Sequence, residues 1–424
     1  MMLRRAALSL CSICLATACG GNDHAGATGG SGGAATGGRG GNGGAVGATG
    51  GITTNAGVSG LGGATSSSGG SNQGGSAAGG SPGWTGGSSG SGVEPLSCQG
   101  GGPGISDCGQ NGESCCTSPS VPGGTFYRTY TNDGSGATNT ADPATVSDYR
   151  LDKYLVTVGR FRKFVTAWDQ GDGYTPDVGS GKHTHLNGGK GLADSGTPGN
   201  YEPGWLDSYT NKLAMTNDNL ECQSGYFTWT RSPGDNERLP MNCVNWYEAY
   251  AFCIWDGGFL PSEAEHIYAA AGGAEQRQYP WGSDAPGTSN QYAIYGCYYP
   301  DGVGDPANCG DNTHIAVVGT AQRGAGKWEH LDLVGNLQKW LLDYFASYIN
   351  PCTDCANLAA TGSGRAPRDG NFTDKNEALL LAPYRNNGFY PENRFYTFGF
   401  RCARTPYPTN RSLSLPILPK RNTP

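Results

Sequence analysis

Residues 240–282 read PMNCVNWYEAYAFCIWDGGFLPSEAEHIYAAAGGAEQRQYPWG, and this stretch decides the fold. Asn245 followed three residues later by Glu248 is a capping box, so a helix is expected over 247–255. Gly257 and Gly258 end it, because glycine takes positive φ without a steric penalty. Leu260 and Pro261 turn the chain. Ser262 caps a second helix, with Glu265 as its box partner. Ala264, Ile267, Tyr268 and Ala271 fall at i, i+3, i+4 and i+7 and make one apolar stripe. Gly272 and Gly273 close that helix, and Tyr279-Pro280-Trp281-Gly282 follows as an aromatic turn. Such a density of Trp, Tyr and Cys reads first as core.

The order of the pieces, NWYEAYAFCIWDGGFLPSEAE, then YAAAGG, then YPWG, resembles the formylglycine-generating enzyme family, also called the sulfatase-modifying factor family. Further matches lie on both sides. Residues 121–126 (VPGGTF) are similar to that family's P-G-G-x-F opening. Residues 154–165 (YLVTVGRFRKFV) resemble its E-V-T-x-x-x-F-x-x-F-V, with Leu155 where glutamate is common. Residues 331–344 (LDLVGNLQKWLLDY) resemble L-x-x-V-G-N-x-x-E-W-x-x-D-W/Y, and 399–404 (GFRCAR) match the strand that closes the domain. The resemblance runs from about 121 to 404. It implies an α+β, C-type-lectin-like fold of short helices, twisted antiparallel strands and much irregular loop. Locally, 146–154 alternates as a strand, and Thr157 caps a helix over 158–168 with Phe161, Phe164, Val165 and Trp168 on one face.

Composition sets the rest. The chain has 424 residues and 73 glycines, which concentrate between Gly20 and Val93, where Asp23 and Arg39 are the only charged side chains. That stretch cannot bury enough apolar surface to offset chain entropy and is expected to be a disordered tether, 19–93. As a coil it would span roughly 45–50 Å. A net charge of −7 argues against a nucleic-acid partner. Before the tether, MMLRR and an apolar run over 6–18 form a signal peptide, and Leu15-Ala16-Thr17-Ala18-Cys19 resembles a lipobox, with cleavage before Cys19 and lipid on its sulfur. An ordinary signal peptide is the competing reading. Expected, then, is an exported chain in the cell envelope, lipid-anchored at the outer membrane or cell surface, touching membrane only through that anchor.

Cysteine usage agrees with export. Of the 15 cysteines, Cys11 and Cys14 leave with the leader and Cys19 carries lipid, leaving an even number for disulfides. Residues 94–119 hold Cys98, Cys108, Cys115 and Cys116 among Gly, Ser and Pro. They read as a small disulfide knot ahead of the domain at 120–405, with zinc as the lesser alternative. Residues 406–424 form a Pro-rich, basic tail. In the insertion 170–205, His183 and His185 could share a metal on a strand, but in so polar a loop solvated side chains are expected. The acidic loop 296–312, with Cys297 and Cys309, lacks a calcium-binding D-x-D-x-D-G spacing.

The resemblance also says where chemistry should lie. The family's oxidase site holds copper on two thiolates spaced C-x4-C after R-G-G-S-W/Y, soft sulfur ligands that suit Cu(I). Here the segment reads RDGNFTD over 368–374, and Asp374 and Leu379 stand at the two cysteine positions. Copper is therefore not expected, nor any catalytic residue. Calcium stays open. Asp332 and the carbonyls of Gly335 and Leu337 match one family site, but Lys339 replaces its glutamate, so that site is expected to be empty. Asn290 is the candidate remnant of the other. For the disulfides, the resemblance implies Cys222 with Cys402. The family partner of Cys253 is missing from Tyr384-Arg385-Asn386-Asn387, which makes Cys243 its candidate partner. Cys352 and Cys355 form either a tight disulfide or a surface redox pair.

The expected function is a non-catalytic, surface-tethered binding module for peptide or glycan, using Trp205, Tyr226, Trp229, Tyr298 and Tyr299 as exposed aromatics. The alternatives are a sulfatase-modifying-factor-type oxidoreductase and a structural envelope protein. The H-x3-H-x-E triad of iron-dependent relatives is missing, and no histidine lies in a nucleophile-elbow context.

Overall fold

A computed structural model describes residues 94–169, 173–304, 309–360, 362 and 364–408, all within the second of the chain's two units, Trp84–Pro424. The leader, Cys19, the tether, residues 305–308 of the acidic loop and residues 409–424 of the tail lie outside the described residues.

The domain opens with β1 (Ser120–Val121), β2 (Gly124–Thr131), β3 (Thr138–Val146), β4 (Tyr149–Leu151) and helix α1 (Val158–Asp169). Next come β5 (Ala193–Asp194) and the short helices α2 (Asp207–Thr210) and α3 (Asn217–Leu220), then α4 (Trp246–Trp255) and α5 (Glu263–Ala270). Short strands finish it: β6 (Gln338–Lys339), β7 (Cys352–Thr353), β8 (Cys355–Ala356), β9 (Phe398–Gly399) and β10 (Ala403–Arg404). Strand β4 is the middle of a three-stranded sheet, antiparallel to β1 and β10. The β2–β3 hairpin is extended by β7, parallel to β3, while β5–β8 and β6–β9 are parallel pairs. This is the expected α+β architecture of few short helices, small sheets and long loops.

Both capping boxes form as the sequence predicts. Asn245 accepts from the Glu248 amide at 2.9 Å, and Ser262 accepts from the Glu265 amide at 3.2 Å. Thr157 caps α1 by accepting from the Arg160 amide. After α4, Gly257 takes φ +76°, and a Cβ on Gly258 would lie 2.5 Å from the Ala403 carbonyl. That close approach lets Phe259 bridge to Ala403 in β10. The expected strand 146–154 is interrupted. Val146 ends β3, and β4 begins only at Tyr149, because Ser147 turns out to bond Asp354 through its amide and hydroxyl.

The main core packs α1 on α4 and the closing strand. Phe252 lies 5.7 Å from Phe161, 5.7 Å from Phe164 and 5.4 Å from Phe400. Each such ring, fully buried, is worth about 1.5–3 kcal/mol. Beside it a charged cluster is sealed from water. Arg160 donates to Asp152 (3.1 Å) and Asp256 (2.7 Å), and Arg404 donates to the same two carboxylates. Arg160 also donates to Ser97 Oγ and the Cys115 carbonyl, which ties the Cys-rich segment into the domain.

Two inferred pairings are corrected. The disulfides are Cys222–Cys243 and Cys253–Cys402, not Cys222 with Cys402 and Cys253 with Cys243. The cause is the α4–β10 crossing just described: it brings the last turn of α4 against Cys402, and the Cα atoms of Cys253 and Cys402 are 5.4 Å apart. Cys98–Cys116 and Cys108–Cys115 make the expected knot, and Cys297 pairs with Cys309. Cys352–Cys355 is a disulfide with both residues buried, which removes the surface redox alternative.

Candidate functional site

Segment 368–374 folds onto the loop that carries Asn336. Phe372 donates its amide to the Asn336 carbonyl, while Gly296 and Cys297 donate to the carbonyls of Asp374 and Phe372. Asp374 and Leu379 each pack against Gly370. A Cβ on that glycine would stand 3.3 Å from Asp374 Oδ2 and 3.2 Å from Leu379 Cβ. Asp374 Oδ2 accepts from both the amide and the side chain of Asn371, at 2.8 Å each. Burial pushes its carboxyl above the usual range, against the lowering effect of the Asn371 amide. One hydrogen-bonded carboxylate beside an aliphatic chain does not fit Cu(I), which takes paired soft sulfurs. Nor is another thiol at hand, since every cysteine among the described residues is in a disulfide.

Beneath this segment a second charged group is fully enclosed. His266 Nε2 lies 2.9 Å from Asp369 Oδ2, and Lys339 Nζ lies 3.5 Å from the same oxygen. Burial pulls the Lys339 ammonium down to about 8 although Asp369 opposes it. Burial likewise lowers His266. Asp369 itself is held below its ordinary value because His266 and Lys339 outweigh burial.

The calcium candidates are separated by their partners. Asp332 Oδ2 accepts from the Gly319 amide, and the Gly335 carbonyl accepts from Lys339 Nζ at 3.0 Å. Leu337 is buried in the core behind them. With an ammonium already on the Gly335 carbonyl, this set does not fit a divalent cation. Asn290 donates to the Tyr298 carbonyl, while its Oδ1 is buried without a partner in the wall of a cleft of about 440 Å³ shared with Tyr299, Thr320 and Arg323. Among the described residues no three His, Cys, Asp or Glu side chains converge as a metal-ligand set.

A cleft of about 320 Å³ opens between the β2–β3 hairpin and the chain just past Leu379. Its walls include Tyr130, Asn132, Asp133, Thr138, Gln278 and Leu381. It combines an aromatic face with amide, hydroxyl and carboxylate groups, the mixture that orients a polar ligand.

The insertion holds what the sequence did not foretell. His183 is completely buried rather than solvated, with Nδ1 3.0 Å from Glu202 and Nε2 3.1 Å from Glu265. His183 and His185 both pack on the Phe259 ring, and neither ring nitrogen of His185 has a partner. Glu202, from the same insertion, folds back to supply the countercharge. The five aromatics expected at the surface are also corrected. Trp205 and Trp229 are buried, and Tyr226, Tyr298 and Tyr299 are half-buried. Trp205 and Trp229 belong to the main core, and the three tyrosines pack at the edges of smaller clusters.

A family model described as "Sulfatase-modifying factor enzyme 1-like domain" matches residues 106–406. Over 311 residues the chain is 26% identical to a formylglycine-generating enzyme of Thermomonospora curvata, covering 68% of this chain and 92% of that one. It is 29% identical over 191 residues to the formylglycine-generating enzyme of Streptomyces coelicolor, covering 41% of this chain and 57% of that one. Over another 191 residues it is 27% identical to the inactive C-alpha-formylglycine-generating enzyme 2 of Bos taurus, covering 43% of this chain and 58% of that one. The chain thus spans little more than half the length of these last two relatives. Among solved structures, PvdO from Pseudomonas aeruginosa matches with 21% identity over 72% of this chain and 99% of that one, at a TM-score of 0.44.

Proposed function

The chain belongs to the sulfatase-modifying factor enzyme 1-like domain family, and from that premise we propose that it is a non-catalytic binding module. The observation that carries this reading is that Asp374 and Leu379 are the side chains against Gly370, in a domain whose described cysteines are all locked in disulfides. The oxidase chemistry of the family needs a thiolate pair. A relative with 27% identity bears the name of an inactive member, so a scaffold kept without its chemistry has a parallel.

In this reading the leader is removed, Cys19 carries lipid, and the Gly-rich tether holds the domain away from an extracytoplasmic membrane surface. The six disulfides among the described residues fit such an oxidising location. The ligand is a peptide or glycan strand, seated in the cleft formed by Tyr130, Asn132, Thr138 and Gln278. No calcium or copper is required for it to bind.

The test is copper content and oxygen uptake of the purified, oxidised protein with added Cu(I) and a cysteine-containing sulfatase peptide. No retained copper and no peptide-dependent uptake is the expected result. Stoichiometric copper with turnover would replace the binding-module reading with an oxidase.

A further inference from the structure

Loop 332–336 turns sharply, with Asp332, Gly335 and Asn336 all at positive φ (+52°, +74° and +58°). Carbonyls of this loop and of the residue before it accept from positive groups. Two are present, and both come from protein. Arg401 donates to the carbonyls of Leu331 and Asp332 at 2.7 Å each, and Lys339 Nζ donates to the Gly335 carbonyl at 3.0 Å. Lys339 is completely buried, with the Asp369 carboxylate 3.5 Å away and Asp332 a second carboxylate acting on it. Its backbone exchanges hydrogen bonds with Arg368, so the ammonium is fixed between the loop and segment 368–374.

We propose that the Lys339 ammonium is a covalently built-in substitute for a bound divalent cation. It neutralises Asp369, gathers the loop carbonyl, and joins loop 332–336 to the segment carrying Asp374, so that this part of the fold is held without metal. The reason is electrostatic. An ammonium and a divalent cation cannot share one carbonyl and one carboxylate in a dry interior, and the tethered charge loses no translational freedom on binding. This inference concerns how the site is held and stands whether or not the cleft binds a ligand.

The experiment compares the melting temperature of the full chain with those of Lys339→Met and Lys339→Glu, each in EGTA and in millimolar calcium chloride. Lys339→Met should melt well below the parent and ignore calcium, because Asp369 loses the Lys339 ammonium and keeps only His266 on that oxygen, while the Gly335 carbonyl loses its donor. Lys339→Glu adds a third carboxylate beside Asp332 and Asp369. It should be the least stable protein in EGTA and should gain several degrees in calcium beyond any gain of the parent. If Lys339→Glu does not fold in EGTA, refolding yield with and without calcium gives the same comparison, and calcium-dependent recovery is expected. A Lys339→Met protein as stable as the parent, or a calcium response in Lys339→Glu no larger than the parent's, would overturn the proposal.

Discussion

His183 Nε2 lies 3.1 Å from the Glu265 carboxylate that also caps helix α5 through Ser262. One oxygen therefore serves a helix terminus and a buried imidazole delivered by a distant loop. Burial alone would lower the His183 pKa, but Glu265 and Glu202 raise it to about 10.

The sign of the resulting pH dependence follows. The folded value lies above the ordinary value of 6.5, so the stabilising contribution is complete below about pH 6.5 and fades as pH rises towards 10. The urea midpoint of the protein should fall between pH 7 and 10, and a His183→Gln variant should show a flatter profile over that window. Replacing His183 with alanine leaves two buried carboxylates without a cation and should cost about 3–5 kcal/mol at pH 7.

Arg160 holds the Cys-rich segment through Ser97 and Cys115 while balancing Asp152 and Asp256. An Arg160→Met change should lower stability by about 3–5 kcal/mol. It should also loosen residues 94–116, read as faster proteolysis there while α4 and α5 stay protected.

The Cys253–Cys402 disulfide closes a loop with a sequence separation of 149. Chain entropy puts its contribution at about 5 kcal/mol. A paired Cys253→Ser, Cys402→Ser variant should unfold at clearly lower denaturant. Non-reducing peptide mapping should find Cys253 with Cys402 and Cys222 with Cys243; a Cys222–Cys402 peptide would contradict the structure.

Asp374 and Leu379 both lie against Gly370, so thiols at the two positions would flank the same glycine. The double change Asp374→Cys, Leu379→Cys should give a protein that retains Cu(I) against a competing chelator, whereas either single change should not. Copper titration with a colorimetric competitor reads this directly.

What was legible in the sequence was local. Both capping boxes, the helix stops and the Tyr279–Gly282 turn depend on residues within four positions of each other, and all of them form. Motif order carried the fold for the same reason. The disulfide partners depended on which strand crosses the end of α4, a tertiary fact with no local mark. His183 finds Glu202 and Glu265 at separations of 19 and 82 residues, so nothing near it in sequence announced a buried ion triad. The burial of Trp205 and Trp229 depends on how the long loops pack, which no local pattern marks. Only the packed structure shows that those loops need aromatic ballast.

Strands β1 and β10 both pair with β4, and Ser120 and Arg404 meet it at the same residue, Arg150. These two strands are thus two strand spacings apart, about 10 Å, and the Cys-rich segment ahead of β1 returns to the same place, where the Ser97 amide and Arg404 both donate to Asp256. A domain with adjoining ends can be spliced into a surface loop of another protein without stretching its host. It can equally be set at the tip of a stalk or between two neighbours with no change to its interior. Architecturally, the domain is a cassette.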